Sequence, residues 1–483
     1  MNMINHKFAL SRSFDTCRAV VLAAIVSSTA GAQTRSLPHG IQRFVSIDAP
    51  VVALTHVRLV DGTGAPARPD QTIIIRGTRI AAVAASGTIV VPADARVVDL
   101  TGHTVLPGLV GLHEHTYFDG VKRVTQMSVS APLLYLAYGV TTAITAGSQL
   151  PYQELNMKGA VDAGVLPGPN FLITGPYLDG GPPRNGMDRR VTSPADVRKV
   201  IDYWAGEGAT WFKFLGTETR AELDAAVKEA HAHGLKVTAH LCSVTFTEAA
   251  ALGVDLLQHG FITNSDYVKG KEPDVCPPEN MQAQADVEVE SADVQASIRR
   301  IVAGKAAVVS TLGVYETFMP DRSTLDPRAL EMLDPATRAE VESNHADLAK
   351  SGFVVPERLL KKMMAWERDF VAAGGLLGAG CDPWGTGFLP GTGDLRNYEL
   401  LVEAGFAPEK AIQIMTLNGA RILGLDKQTG SIAAGKSADL TVIRGDPLAD
   451  PSAIYGVVTV FRNGVGYDSA RLREAAKGRV GVN

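Results

Sequence analysis

Leu109-Val110-Gly111-Leu112-His113-Glu114-His115 is an apolar run that closes on two histidines spaced two apart. As a strand, it places both imidazoles on one face and Glu114 on the other, because side chains alternate along extended backbone. Further along the chain, strand-like runs recur at 140–146, 170–175, 210–215, 236–241, 256–259, 307–312 and 375–382. Helical patterns fall between most of them, among them 195–205, 220–231 and 358–373. Eight parallel strands with intervening helices predict an α/β fold, a (β/α)8 TIM barrel over residues 106–424, whose chemistry gathers at the C-terminal strand ends. Two long polar connections, 261–295 and 313–356, are expected to serve as lids or pocket walls.

Both flanks have another texture. Short apolar runs at 57–60, 72–77, 80–83 and 96–99 carry no helical period, and similar runs return at 430–432, 438–443 and 457–464. Segments 50–105 and 425–470 are therefore expected to pair into a small β-sandwich domain, with the barrel inserted between them.

The 483 residues are 46% hydrophobic and 20% charged, with a formal net charge of -5. That balance fits a globular protein with ample core, and it gives no electrostatic footprint for nucleic acid or an anionic membrane surface. The expected partner is a small-molecule substrate, and homo-oligomerisation stays open. At the N-terminus Lys7, Arg12 and Arg18 precede the apolar run 19–26 and the small residues Ala30-Gly31-Ala32. This reads as a signal peptide over residues 1–32, too short to span a bilayer, and places the mature chain in the periplasm or outside the cell. Beyond it, Cys242, Cys276 and Cys381 have no zinc-finger spacing. One disulfide among them is compatible with an exported chain, and the sequence does not select the pair.

Several residue types that carry chemistry stand at predicted strand ends. An H-x-H pair such as His113 and His115 can bind one metal ion, although alone the signal is weak. Lys213, inside Trp211-Phe212-Lys213-Phe214-Leu215, would bury an ammonium among bulky apolar residues. That costs several kcal/mol without a partner, about 2–7 for polar groups and more for charges. Either an ion pair stabilises it, or carbon dioxide converts the amine to an anionic carbamate that can bridge two metals. His240 ends 237–240, His259 ends 256–259, and Asp382 closes 376–382 beside inward glycines. One terminal histidine is more often a capped or core residue, and one aspartate more often caps a helix. Together they converge, since a barrel directs the ends of strands one, four, five, six and eight toward one centre.

In that chain order His113, His115, Lys213, His240, His259 and Asp382 resemble the metal-dependent amidohydrolase superfamily. The likeness is to its dinuclear subgroup with a carboxylated lysine, the imidazolonepropionase-like and Xaa-Pro dipeptidase-like amidohydrolases. Val105-Leu106-Pro107-Gly108-Leu109-Val110, Thr416-Leu417-Asn418-Gly419-Ala420-Arg421 and the stretch 430–440 resemble that family's entry into strand one and its return to the sandwich. The resemblance spans about 52–465. It implies one ion on His113, His115 and Asp382, another on His240 and His259, and a carbon dioxide-derived carbamate on Lys213 between them. Zinc is the metal expected for both ions, with supply in the compartment deciding. The ions would acidify a shared water and polarise the scissile carbonyl, and Asp382 would carry the proton to the leaving nitrogen. This chain departs from relatives at Gly111, where many have Asp, and at Gln258, where many have Glu; both positions would orient ligands rather than bind metal.

Tyr177, Arg184, Arg189 and Arg190 follow strand three in a Gly- and Pro-rich stretch. Tyr177 and Arg184 could polarise or grip a substrate, while a solvated loop is the plainer reading for each. Trp384 could line the pocket or simply pack. His231 and His233 close a helix and are expected to meet its last carbonyls; His345 is expected to be solvated. The resemblance implies a secreted hydrolase of amide-type C–N bonds in dipeptides, N-acyl amino acids or cyclic amides. The same site could serve lactones, carbamates, esters or phosphotriesters, and a non-catalytic ligand-binding barrel is the third reading.

Overall fold

The computed structural model describes residues 37–120, 123–181, 188–322, 324–350 and 354–482. The signal-peptide reading over residues 1–32 and the Arg184 reading fall outside them. Among the described residues no helix is long and apolar enough to cross a membrane.

Two large sheets organise the chain. One has ten segments, all paired in parallel, in the order Asn170–Leu172, Val140–Thr145, Leu109–Glu114, Leu377–Ala379, Ala307–Ser310, Leu256–Leu257, Lys236–Ala239, Trp211–Phe214, Thr174–Asp179, Arg189–Arg190. All eight expected strands are in it. The count reaches ten because the third is broken at Ile173 and the short Arg189–Arg190 segment is added. Breaking at Ile173 lets the first half pair with Val140–Thr145 and the second half with Trp211–Phe214. Buried Val110, Leu112, Ile144, Trp211, Leu256 and Val309 form one apolar cluster on the sheet.

Helices follow the strands where capping residues predict them. Thr219 and Glu222 make a capping box at the start of Arg220–Ala232, and Thr245 with Glu248 makes another at Phe246–Leu252. The second helix ends on Gly253 at φ 92°, a left-handed stop that glycine adopts without strain. The expected helices at 195–205 and 358–373 appear as Pro194–Glu207 and Glu357–Ala372.

The other sheet, nine-stranded, draws on both ends of the chain, with Val45–Ile47, Val51–Leu59, Arg68–Arg76, Arg79–Ala85, Arg96–Asp99 and His103–Pro107 beside Leu440–Arg444, Val457–Arg462 and Val465–Asp468. Its own apolar cluster contains Val52, Leu54, Ile73, Ile75, Leu440 and Phe461. The expected strand at 430–432 does not form; there the Ile432 N–H bonds the Asp61 carbonyl in an irregular connection. A helix that the sequence pattern did not suggest, Ser469–Ala476, docks through Ser469 onto the Ala137 carbonyl.

The two long connections are not bare loops. Residues 261–295 include the helix Asn280–Ala285, and 313–356 include Pro327–Leu330 and Pro335–Ala346. A disulfide joins Cys242 to Cys276, tying the first connection to the chain just after His240, while Cys381 is a buried free thiol.

Candidate active site

The strand Leu109–Glu114 does not keep a simple alternation to its end. Ala143 pairs with Gly111 and Thr145 with Glu114, so two steps on one strand face three on the other, which is a bulge. The bulge puts Gly111 beside Glu114, and a Cβ on Gly111 would collide with the Glu114 carboxylate. His113 and His115 point to the opposite side. His113 Nε2 lies 3.4 Å and His115 Nε2 3.1 Å from Asp382 Oδ1, and His259 Nδ1 lies 3.7 Å from Asp382 Oδ2. The His113 and His259 rings are 4.6 Å apart and the His259 and His240 rings 4.7 Å. Ligand atoms of His113, His259 and Asp382 all lie within 4.8 Å of one another.

Backbone conformation at these strand ends is unusual. Leu241, His259 and Asp382 take φ of 64°, 66° and 54°. Left-handed backbone costs a non-glycine residue about 1–2 kcal/mol and clusters at functional sites. Gly378 and Gly380 permit the close approach beside it, since a Cβ on either would strike Leu112 or His113.

Hydrogen bonds fix which imidazole nitrogens keep lone pairs. Thr238 donates its hydroxyl to the Leu256 carbonyl and so accepts from Gln258 Nε2 at 2.6 Å. Gln258 Oε1 therefore faces His113 Nδ1, 2.6 Å away, and His113 must donate there, leaving the Nε2 lone pair facing the Asp382 carboxylate, itself an acceptor. His240 Nδ1 likewise donates to the Leu241 carbonyl at 3.2 Å. Burial first, then the nearby Lys213 ammonium, holds His113 well below the usual imidazole range. Burial, His240 and Lys213 do the same to His259. Both rings are thus neutral donors of electron pairs, the form a metal requires. Lys213 is 1% exposed and stands in register with Tyr177 on one side and Thr238 on the other.

Tyr177 is not in a loop. It lies within the strand Thr174–Asp179, buried, with its hydroxyl 2.6 Å from that of Tyr117 and 3.5 Å from His115 Nδ1. The Gly- and Pro-rich composition points to a solvated loop, and parallel pairing with Trp211–Phe214 overrides it. Tyr117 itself stacks on His115 with ring centroids 4.8 Å apart. Its place two residues beyond His115 continues the period that set the histidines, a signal that could have identified it. Tyr315, 5.5 Å from the His259 ring, and Thr311, 2.8 Å from His259 Nδ1, carried no comparable signal.

Arg189 and Arg190 are exposed, and Arg189 pairs with Asp196 at 2.6 Å, as the solvated reading expects. His231 and His233 bind Asp255 and Asp202 at 2.9 and 2.7 Å instead of helix carbonyls, because those carboxylates lie within reach. His345 is half-buried, on the wall of a cavity of about 590 Å³. That cavity is also lined by Asp119, Phe318, Leu348 and Trp384, so the connection 313–356 does form a pocket wall. Trp384, 39% exposed, presents its ring there rather than packing in the core.

Behind the histidines lies a second buried group. Glu114 Oε1 accepts the Cys381 N–H at 3.1 Å, and the Asp394 carboxyl adjoins that of Glu114. Burial, then Asp394, pushes the Glu114 carboxyl well up, and burial brings Asp394 to about 7.

A model of the amidohydrolase family matches residues 370–466. An enamidase from Eubacterium barkeri is 25% identical over 388 residues, covering 78% of this chain and 82% of the enamidase. The crystal structure of a prolidase candidate from Bifidobacterium longum superposes with a TM-score of 0.64 at 25% identity, covering 89% of this chain and 99% of that one. A Xaa-Pro dipeptidase with methionine bound in its active site matches at a TM-score of 0.64 and 21% identity, over 86% of this chain and all (100%) of that one.

Proposed function

We propose that the chain belongs to the amidohydrolase superfamily, as a hydrolase of amide C–N bonds, and that it works with two divalent metal ions on small substrates. The observation that carries the reading is the convergence of three neutral or anionic ligand groups, His113, His259 and Asp382, within 4.8 Å. The donor set fits a metal: imidazoles held neutral, one carboxylate between them, and Nε2 of His113 aimed at that carboxylate. His113, His115 and Asp382 would hold one ion and His240 with His259 the other. Lys213, losing two protons from its ammonium form as its nitrogen adds carbon dioxide, would become an anionic carbamate able to hold both ions. A carbamate there replaces a buried cation, costly without a partner, by an anion that two cations would pair. Zinc is the preferred identity on the Irving–Williams order, which places it above manganese, with supply in the compartment deciding.

When bound, divalent ions supply an acidified water and polarise the scissile carbonyl. The protein does the rest. Asp382 stands 3.1–3.7 Å from three imidazoles, placed to accept the water proton and return it to the leaving nitrogen. Tyr177, tied to Tyr117, offers a neutral hydroxyl at the rim of the site for a substrate oxygen. The cavity beside Trp384 has the size of small-ligand sites and would receive the remainder of the substrate.

The parallel sheet is read as a closed (β/α)8 barrel over 106–424, because the run 170–179 joins one end of the strand order to the other around Ile173. The sheet made from both chain ends is read as the β-sandwich domain of 50–105 and 425–470. Export to the periplasm or beyond, after removal of residues 1–32, agrees with the Cys242–Cys276 disulfide.

The test is a panel of dipeptides, N-acyl amino acids, cyclic amides, lactones, carbamates, esters and phosphotriesters, assayed with zinc and bicarbonate present. Cleavage of an amide supports the reading. Turnover confined to esters or phosphotriesters would replace it with the alternative hydrolase, and binding without turnover would leave only a ligand-binding protein.

A further inference from the structure

Asp382 owes its place to contacts made from behind the site. The regular ladder between Leu377–Ala379 and Leu109–Glu114 has one register pair, Ala379 with Gly111. Past it, the chain turns left-handed at Asp382, and two consecutive backbone donors must be held by something else. The Asp382 N–H takes the His113 carbonyl at 2.7 Å. The Cys381 N–H takes a side chain, Glu114 Oε1, at 3.1 Å. Glu114 adjoins Asp394, their carboxyl oxygens within 4.8 Å, and Asp394 accepts the Gly391 N–H on Oδ2 at 3.0 Å, at the start of the helix Thr392–Glu403. The neighbouring His115 is gripped on the same outer side, where Tyr135 accepts from its N–H at 3.0 Å and donates to its carbonyl at 2.8 Å.

Both carboxyls are buried, Glu114 at 0% and Asp394 at 3% exposure, and burying two acidic groups is costly compared with apolar filling. What they supply that apolar groups cannot is a directional acceptor for one N–H, at the residue preceding Asp382. The absence of a Cβ at Gly111 makes room for the carboxylate that reaches it.

We infer that Glu114 and Asp394 are positioning residues: two adjoining buried carboxyls, braced on the helix Thr392–Glu403, that set the Asp382 carboxylate against the imidazoles of His113 and His115. The inference rests on the metal-site reading above. Neither residue touches substrate. Each acts through the turn at Cys381–Asp382, where a displacement of about 1 Å is enough to cost on the order of 10²-fold in rate.

The test compares amide and apolar replacements in the full chain: Glu114→Gln and Asp394→Asn against Glu114→Met and Asp394→Leu. Zinc affinity is measured by competition with a chromophoric chelator, alongside kcat, KM and the unfolding midpoint. Gln and Asn can make the same bonds, so these variants are expected within about threefold of wild type in kcat and zinc affinity. Met and Leu are expected to lower kcat by about 10²-fold with KM nearly unchanged, and zinc affinity by about tenfold or more. Glu114→Asp, which keeps the charge but shortens the reach, is expected to fall with the apolar variants and decides the matter if those do not fold. Apolar variants with wild-type kcat and zinc affinity would overturn the inference, as would amide variants as impaired as apolar ones. A wild type that binds zinc and cleaves no amide would count against the hydrolase reading alone, because the zinc comparison still judges the pair.

Discussion

The two sheets are equally dry inside and differ in what they bury at their margins. In the sheet built from both chain ends, the buried polar side chains are neutral, such as Thr55, Gln71, Thr72 and Thr104. At the C-terminal ends of the parallel strands the buried set includes His113, Glu114, His115, Asp179, Lys213, His259 and Asp382. Backbone strain divides in the same way. His56, Asp70 and Asn463 adopt left-handed φ at exposed or turn positions of the first sheet, whereas Leu241, His259 and Asp382 do so while buried. A sheet evidently folds here without ionisable groups in its core. Their concentration along one edge of the other marks a cost borne for chemistry rather than for folding.

That contrast can be broken by mutation. Asp382→Asn is expected to lower kcat by about 10³-fold or more, since it removes the proton carrier and a metal ligand together. Asp70→Asn, at an equally left-handed but exposed position, should stay within about twofold; steady-state kinetics on the best amide compares the two. Lys213→Met should lower kcat by about 10²-fold and abolish any dependence on added bicarbonate, read from activity after carbon dioxide is stripped and restored. Gln258→Leu frees His113 to take the wrong tautomer and should weaken zinc binding by about tenfold to a hundredfold, measured by chelator competition.

The smallest effect on activity sharpens the comparison through stability alone. Burial raises the Glu367 carboxyl from 4.5 to about 8. The folded state then holds a proton that the unfolded chain releases, so the stabilising contribution is complete below about 4.5 and is lost as pH rises through about 8. Glu367→Gln should flatten that part of the stability–pH curve, with kcat unchanged, as followed by urea unfolding at several pH values.

Much of this was legible in the sequence because strand ends carry their own signal. The apolar runs before His113, His259 and Asp382 are long enough to identify, and a parallel sheet brings such ends together whatever the loops do. Local patterns misled where tertiary contacts decide. The Gly- and Pro-rich stretch around Tyr177 looks like a solvated loop, yet Tyr177 is held in a strand by its parallel neighbour. Gly430–Ile432 looks like a strand, yet it has only an isolated bond to Asp61. The Cys242–Cys276 pairing depends on a Cα separation of 4.9 Å that no spacing rule provides. The Glu114–Asp394 contact joins residues far apart in the chain and had no pattern to announce it.

The most direct test of the central claim is the metal content of the purified chain, loaded with zinc in bicarbonate buffer and dialysed, measured by elemental analysis against protein concentration. About two zinc ions per chain are expected in the wild type, with a loss of bound metal in Asp382→Asn and Lys213→Met. A wild type that retains no zinc while still cleaving amides at full rate would contradict that claim.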